Sequence, residues 1–268
     1  MALMKIHQKH CAETIWQKIL EEAKLSAASE PNLSRYLTER ILNQNNLAAA
    51  LTNQLATKLA SPAVPKAMLL EVMLPILDQQ STIAKVARDI QATVERDSAC
   101  KQYSSALLYL KGFLSLQAYR VANALWLQER TSLALLLQHR ISVVFAVDIH
   151  PAASIGSGVM IDHATGLVVG ETTVIEDCVS LMQSVTLGGT GKDAGDRHPK
   201  IRRGVLIGPG ATVLGNIEVG EGAMVSAGSV VLKNVSAHKI VAGVPASEVG
   251  DKLIDQAAEQ MNHCFIED

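Results

Sequence analysis

The sequence has few aromatic residues, little net charge and no long apolar run. Its 268 residues include only 3 Phe, 2 Trp and 4 Tyr, so we predict an aliphatic core. A formal net charge of −2 argues against a nucleic-acid surface or a polybasic membrane patch. No uninterrupted apolar stretch approaches the ~18 residues of a membrane span, and the N-terminus lacks the apolar core of a signal peptide. We therefore expect a soluble cytoplasmic protein that binds neither nucleic acid nor membrane.

Cysteine is also scarce. The four cysteines are Cys11, Cys100, Cys178 and Cys264, and no two of them are closely spaced. Such scattering argues against a zinc knuckle and against a disulfide framework. We expect reduced thiols.

The second half of the chain has an aliphatic residue at almost every sixth position. One register comprises Ile149, Ile155, Ile161, Leu167, Val179 and Val185, with Thr173 as its only miss, and a second comprises Ile201, Ile207, Val213, Val219, Val225 and Val231. A period of six does not match a helical turn of 3.6 residues, but it suits short strands joined by turns. Three such units make one triangular coil of a parallel β-helix. The repeat therefore predicts four to five coils, with small residues in the narrow interior at Ala153, Ala211, Ala223 and Ser229.

The spacing between the two registers is not a multiple of six. Residues 188–199 between them are rich in glycine and polar side chains. We interpret this stretch as a loop that projects from the coil, and such loops commonly carry function.

The first half lacks the six-residue repeat and shows helical spacing. Between residues 12 and 145 we expect six to eight helices and no strand, with segments at 47–60, 67–77, 82–96 and 104–140, the last of these as one long helix or two. The predicted domains are a helical oligomerisation domain (1–145), a β-helix (146–246) and a C-terminal tail (247–268).

Acid–histidine and arginine–histidine pairs interrupt the aliphatic repeat. Asp148 precedes the first coil, Asp162-His163 lies further along that coil, and Arg197-His198 closes the loop. A carboxylate that accepts a hydrogen bond from one imidazole nitrogen makes the other nitrogen a better base, so Asp148 and His163 are a possible hydroxyl-activating dyad. His150, beside Pro151, is interpreted as structural. A histidine metal site shared between subunits, as in a β-helical lyase of the carbonic anhydrase type, and a non-catalytic trimeric scaffold remain alternatives.

Five motifs together resemble the bacterial serine acetyltransferase family of hexapeptide-repeat acyltransferases. They are Asp148-Ile149-His150-Pro151, Asp162-His163-Ala164-Thr165-Gly166, Val169-Gly170-Glu171-Thr172, Gly188-Gly189-Thr190-Gly191-Lys192 and Gly195-Asp196-Arg197-His198-Pro199. The likeness extends into the helical half through Tyr109-Leu110-Lys111-Gly112-Phe113 and Leu116-Gln117-Ala118-Tyr119-Arg120.

The resemblance implies a fold, an assembly and a reaction. The fold would be a left-handed parallel β-helix that follows an all-helical domain, assembled as a homotrimer or as two trimers joined through the helical domains. The reaction would transfer acetyl from acetyl-CoA to the hydroxyl of L-serine, giving O-acetyl-L-serine and CoA, as the first step toward cysteine. L-Cysteine would inhibit it at the serine site.

The resemblance also assigns catalytic roles. His163, oriented by Asp148, would take the serine hydroxyl proton during attack on the thioester. Backbone N–H groups of Gly188-Gly189, or His198, would stabilise the charge that develops on the carbonyl oxygen.

Substrate contacts follow in the same way. Arg197 would bind the serine carboxylate through its forked donors, beside His198. Asp162 and Asp97 would face the α-ammonium group, and Asp97 enters only through the family resemblance.

Acetyl-CoA enters as a co-substrate, and no metal is implied. The residues expected to line its groove are Gly189, Thr190, Gly208 and Ala227, with Lys233 near the far end. A corner glycine or alanine in a β-helix is, however, more often only structural. In the family, a C-terminus ending in isoleucine docks into O-acetylserine sulfhydrylase. This sequence departs from that pattern by ending Phe265-Ile266-Glu267-Asp268, and docking to the sulfhydrylase is an expectation from the resemblance alone.

Overall fold

The computed structural model describes residues 2–191, 194–252 and 256–263, with the side chains of 2–11 outside that description. The chain divides into two compact units, Met1–Leu110 and Lys111–Asp268, which we call the helical unit and the coil unit. Among the described residues, no helix combines the length and the apolar character that crossing a bilayer requires. The predicted docking residues 265–268 lie outside the described part of the chain.

The described residues of the helical unit form α-helices whose limits follow the breakers in the sequence. These are α1 (Ala2–Ser29), α2 (Ser34–Leu37), α3 (Leu47–Leu59), α4 (Lys66–Leu77), α5 (Gln80–Arg96) and α6 (Tyr103–Tyr109), with a 3-10 turn at Pro31–Leu33 and a π-helical turn at Thr38–Leu42. The Asn46 side chain accepts a hydrogen bond from the Ala49 N–H at 2.8 Å and so caps α3. Over the described residues between 12 and 145, strand pairing is limited to an isolated bridge between Ser61 and Val64.

The coil unit opens with two further helices, α7 (Lys111–Leu127) and α8 (Thr131–Phe145). The stretch expected to hold one or two helices, residues 104–140, therefore contains three. Helix α7 packs on the first turn of the coil, where Arg120 donates to the Gly156 carbonyl at 2.7 Å and Asn123 donates to the Pro151 carbonyl at 2.8 Å. The change from helix to strand falls between Phe145 and Val147, whereas the compact units divide after Leu110. The domain limits 1–145, 146–246 and 247–268 stay a prediction.

The rest of the coil unit is a parallel β-solenoid of about five turns. Its strands are β1 (Val147–Ile149), β2 (Ser154–Ile155), β3 (Met160–Ile161), β4 (Leu167–Val169), β5 (Val174–Ile175), β6 (Ser180–Leu181), β7 (Thr186–Gly188), β8 (Lys200–Ile201), β9 (Leu206–Ile207), β10 (Thr212–Leu214), β11 (Glu218–Val219), β12 (Met224–Val225), β13 (Val230–Val231), β14 (Lys239–Gly243) and β15 (Ala246–Asp251). They form sheet A (β1-β4-β7-β10-β13), sheet B (β2-β5-β8-β11) and sheet C (β3-β6-β9-β12-β14-β15). Among the strands described for this unit, β15 alone runs antiparallel, against β14. The short helix α9 (Ala257–Gln260) follows it.

The predicted register is wrong between Leu167 and Val185. Ile149 pairs with Val169, Ile155 with Ile175 and Ile161 with Leu181. The aliphatic stack therefore continues through Val169, Ile175, Leu181 and Leu187, because the chain holds two extra residues between Ile161 and Val169. The residues of the predicted register also face inward, but they lie two positions before the stacked residues, at the position that Ala153 occupies in the first turn. Thr173 is buried at that position too. A sequence apolar at both inward positions offers two registers, and the prediction followed the one that does not stack.

The second break is larger and lies where it was predicted. Leu187 of β7 pairs with Val213 of β10, 26 residues later, whereas Val213 pairs with Val231 after 18. Eight extra residues therefore project from the coil between β7 and β8, within the predicted loop at 188–199. The two breaks in the repeat are the two places where the acid–histidine and arginine–histidine pairs lie.

Candidate active site

Each turn of the coil has three corners, and two of them carry the predicted site residues. The A/B corner follows each strand of sheet A and contains His150, Glu171-Thr172 and Arg197-His198 on successive turns. The C/A corner precedes each strand of sheet A and contains Asp162-His163 and, one turn further, Ser184. Because the strands of sheet A are parallel, these two corners lie at opposite ends of its strands.

His198 is buried at the A/B corner, where Thr172 of the preceding turn of the coil holds its ring. The residue is 7% exposed. Its Nδ1 accepts a hydrogen bond from the Thr172 N–H at 3.2 Å and lies 2.9 Å from the Thr172 hydroxyl. The same hydroxyl oxygen accepts from the backbone N–H groups of Arg197 and His198, at 3.0 and 3.1 Å. With a backbone donor directed at Nδ1, the neutral ring carries its proton on Nε2. His198 is thus fixed as a donor through Nε2.

A glycine gives the His198 ring its space. A Cβ atom on Gly170 would lie 2.0 Å from Cδ2 and 2.1 Å from Nε2 of His198. On the other side, the Cβ position of Gly189 lies 3.5 Å from Nε2 and 3.4 Å from Arg197 Cγ. The structure therefore brings together three predicted residues, Gly189, Arg197 and His198.

Arg197 is paired with a carboxylate that the sequence analysis gave no role. Its Nη2 donates to Glu171 Oε2 at 2.6 Å, and its Nη1 donates to the Gly195 carbonyl at 3.1 Å. The hydrogen bond from Arg197 lowers the pKa of Glu171. Half-buried Arg197 is thereby oriented at the corner with its charge matched.

The charges around His198 act on it in opposite directions. Burial lowers the pKa of His198, the Arg197 charge lowers it further, and Glu171 raises it. Burial likewise lowers the pKa of His150, whose Nδ1 accepts from the Ala152 N–H at 3.1 Å. That bond and an edge-on contact with Trp126 fit the structural interpretation of His150.

The C/A corner presents a different histidine. The His163 side chain is 71% exposed, and its Nε2 lies 3.5 Å from Oδ2 of the less exposed Asp162. His163 and Ala164 both have left-handed backbone, with φ of 53° and 62°. They occupy the two-residue enlargement of the repeat, which turns the imidazole outward.

Asp148 has a different partner from the one expected. Its Oδ1 accepts from Gln138 Nε2 at 2.7 Å, on the outer face of β1. Within the described residues, the carboxylate near His163 is that of Asp162. The contacts of the described residues do not include the predicted bond between Asp148 and His163, so that dyad stays a prediction.

Asp97 lies in the helical unit, directly after α5. Its carboxylate accepts from the Ala99 N–H at 2.8 Å, which fits the end of a helix. An Asx turn of this kind explains the residue without reference to a substrate.

The predicted acetyl-CoA residues divide between the two corners. Gly208 and Ala227 follow β9 and β12 at the C/A corner, where a Cβ on Gly208 would lie 2.7 Å from the Ala227 nitrogen. Gly189, Thr190 and the exposed Lys233 follow β7 and β13 at the A/B corner. Close backbone packing is by itself a sufficient reason for glycine at 208.

Sequence reasoning missed Gly170, Glu171 and Thr172 as a support for Arg197-His198. The signal was available only as a spacing, because residues 26 apart stack across the loop in the same way as Ile175 and Ile201 do. The described residues include no group of three or more His, Cys, Asp or Glu side chains that would hold a metal ion.

Comparisons with known proteins agree with this architecture. A family profile described as serine acetyltransferase, N-terminal, matches residues 15–118, and a bacterial transferase hexapeptide profile of six repeats matches residues 198–233. A serine acetyltransferase of Salmonella typhimurium is 54% identical over 254 residues, which cover 94% of this chain and 93% of the relative.

Solved structures give the same result. A serine acetyltransferase in complex with cysteine is 52% identical, with a TM-score of 0.92 over 94% of this chain and 99% of the other. A serine acetyltransferase of Brucella abortus in complex with coenzyme A is 48% identical, with a TM-score of 0.87 over 89% of this chain and 96% of the other. These relations favour an acyltransferase over the lyase and scaffold alternatives. The chain belongs to the serine acetyltransferase family.

Proposed function

We infer that this protein transfers the acetyl group of acetyl-CoA to the hydroxyl of L-serine. The observation that carries this inference is the family relationship across 94% of the chain, together with Asp162-His163 and Arg197-His198 at the two breaks of the coil. The products are O-acetyl-L-serine and CoA, and L-cysteine, which shares the carboxylate and ammonium groups of serine, inhibits at the same site.

In the proposed mechanism, His163 acts as the general base. Its exposed imidazole accepts the serine hydroxyl proton while the hydroxyl oxygen attacks the thioester carbon. Asp148 orients the ring and stabilises the imidazolium that forms. The proton then passes to the departing CoA thiolate.

The A/B corner supplies the charge stabilisation. His198 donates through Nε2, and together with backbone N–H groups of Gly188-Gly189 it stabilises the oxyanion of the tetrahedral intermediate. Arg197, oriented by Glu171, binds the serine carboxylate. Asp162 binds the ammonium group, and Asp97 is proposed for the same role on the family resemblance alone.

The two corners support an active site shared between copies of the chain. Strands of sheet A contain up to three residues, or about 10 Å at ~3.3 Å per residue, so His163 and His198 of one chain lie too far apart to act on one small substrate. A neighbouring copy that sets its A/B corner against this C/A corner completes the site. We propose a homotrimer on this basis, with two trimers joined through the helical units.

Acetyl-CoA would then lie in the groove between two copies. Its pantetheine amides would run past Gly208 and Ala227 of one chain and past Gly189 and Thr190 of the next, toward Lys233. Docking to O-acetylserine sulfhydrylase through the C-terminus, and a cytoplasmic location, remain proposals of the same kind.

The test is thiol release from acetyl-CoA by the purified full-length chain, with L-serine as acceptor. We expect release only when serine is present, with stoichiometric O-acetylserine identified by mass spectrometry, and L-cysteine should compete with serine. Release at the same rate with water as the only acceptor would contradict the assignment.

A further inference from the structure

The widened C/A corner has a backbone conformation that is unfavourable for its residues. His163 and Ala164 are consecutive left-handed residues, a conformation that non-glycine residues rarely adopt and that persists only when the surroundings impose it. Bonds within the coil hold the corner on one side, where the Thr165 carbonyl accepts from the Ser184 N–H at 2.8 Å and the Gly166 N–H donates to the Ala146 carbonyl at 2.8 Å. Ala164 is fully buried, whereas the His163 ring is exposed.

The exposed ring has little side-chain support of its own. Among the described residues its ionic neighbour is Asp162, at 3.5 Å. The direction of the imidazole is therefore set mainly by the backbone of residues 162–165.

The first turn of helix α7 contacts the chain on both sides of the Asp162-His163-Ala164 segment. Lys111, the first residue of the helix, donates from Nζ to Thr165 Oγ1. Gly112 lies against Ile161, the residue before Asp162, so closely that a Cβ on Gly112 would be 1.9 Å from the Ile161 carbonyl oxygen. Consecutive residues of one helix thus hold the chain immediately before and immediately after the Asp162-His163-Ala164 segment.

We propose that Lys111 is a positioning residue for the acetyl transfer. Its bond to Thr165 sets the backbone of the enlarged corner and thereby the direction in which the His163 imidazole points, while Gly112 permits the close approach of the helix. This inference rests on the proposed role of His163 as the general base. Lys111 itself does not touch the reacting atoms.

The test compares Lys111→Met, Thr165→Val, the double variant and Lys111→Arg. Lys111→Met keeps the length of the side chain and loses its donors. We expect each single variant to lower kcat about tenfold, because a displaced base reduces proton transfer, with the KM for acetyl-CoA unchanged. The double variant should lose no more than either single one, and Lys111→Arg should restore part of the rate. As a matched control, Lys239→Met removes a lysine that bonds Asp251 elsewhere in the coil unit and should leave kcat unchanged.

Several results would overturn the proposal. They are an unchanged kcat in Lys111→Met, losses that add in the double variant, or a fall in unfolding temperature with kcat retained. His163→Ala separates this failure from that of the proposed function. If His163→Ala is inactive while Lys111→Met has normal turnover, the positioning role alone is wrong. If His163→Ala is fully active, the base assignment is wrong and the positioning role fails with it.

Discussion

The two breaks in the coil carry the same type of residue in opposite settings. At the C/A corner two extra residues turn His163 outward, and its side chain is 71% exposed. At the A/B corner an eight-residue enlargement folds Arg197-His198 back over the turn below, and His198 is 7% exposed. The His163 ring is exposed, with the Asp162 carboxylate 3.5 Å from its Nε2, whereas the His198 ring is buried and accepts from the Thr172 N–H through Nδ1.

This difference separates two chemical roles. A general base must reach a proton on a substrate that enters and leaves, so accessibility suits it. A donor to a developing oxyanion must be oriented before the charge appears, so a ring fixed at Nδ1 with its proton on Nε2 suits that role. Both histidines of the proposed site thus lie at breaks in the repeat, and the contacts of each one suit the role proposed for it.

The largest effect is expected from the exposed histidine. His163→Ala should lower kcat by about 10²- to 10⁴-fold, because the proposed general base is lost, with KM values for both substrates little changed. Steady-state kinetics of thiol release measure this, and circular dichroism checks the fold. A variant that kept its turnover would remove the base assignment and with it the contrast between the two corners.

A substitution at Gly170 tests the position of the His198 ring without changing His198 itself. Gly170→Ala would place a Cβ 2.0 Å from Cδ2 of His198 and force the ring from its position, so we expect kcat to fall by about 10²-fold. Gly195→Ala is the matched control, since no atom lies within 4 Å of its Cβ position. Equal kcat values for the two variants would show that the position of His198 is not important for turnover.

The sequence predicted the architecture because a six-residue period has few structural solutions. It also singled out Asp162-His163 and Arg197-His198 as candidate site residues, since both pairs interrupt that period, and their roles stay predictions. The stacking between Ile161 and Leu187 was less accessible, because residues such as Leu167 and Val179 are apolar where other turns have alanine. Those residues make the two registers similarly hydrophobic, apart from Thr173, and the strand pairing distinguishes them.

The support of His198 was harder to predict for a related reason. Thr172 and Gly170 have no distinctive chemistry, and their role arises from being one turn below a residue 26 or more positions away. That distance depends on how many residues the loop contributes. Similarly, the helix before the coil shows no sign in its periodicity that Lys111 reaches Thr165. Contacts set by loop length and by helix docking are not encoded in local patterns.

The smallest expected effect is a change in the pKa of His198. It bears most directly on the contrast between the two corners. Burial and Arg197 lower this pKa while Glu171 raises it, so Glu171→Gln should lower the pKa further and Arg197→Gln should raise it. The pKa of His198 in the folded state lies below the ordinary value of about 6.5, so the folded state binds fewer protons than the unfolded state. The free energy of unfolding therefore decreases as the pH falls from about 6.5 through the lowered pKa. Histidine ring resonances followed by NMR against pH give both directions. Glu176→Gln, which removes a glutamate paired with Arg202 at a different corner, should leave the pKa of His198 unchanged. A shift of equal size in that control would mean that His198 responds to overall charge rather than to the Glu171–Arg197 pair that orients the fixed side of the site.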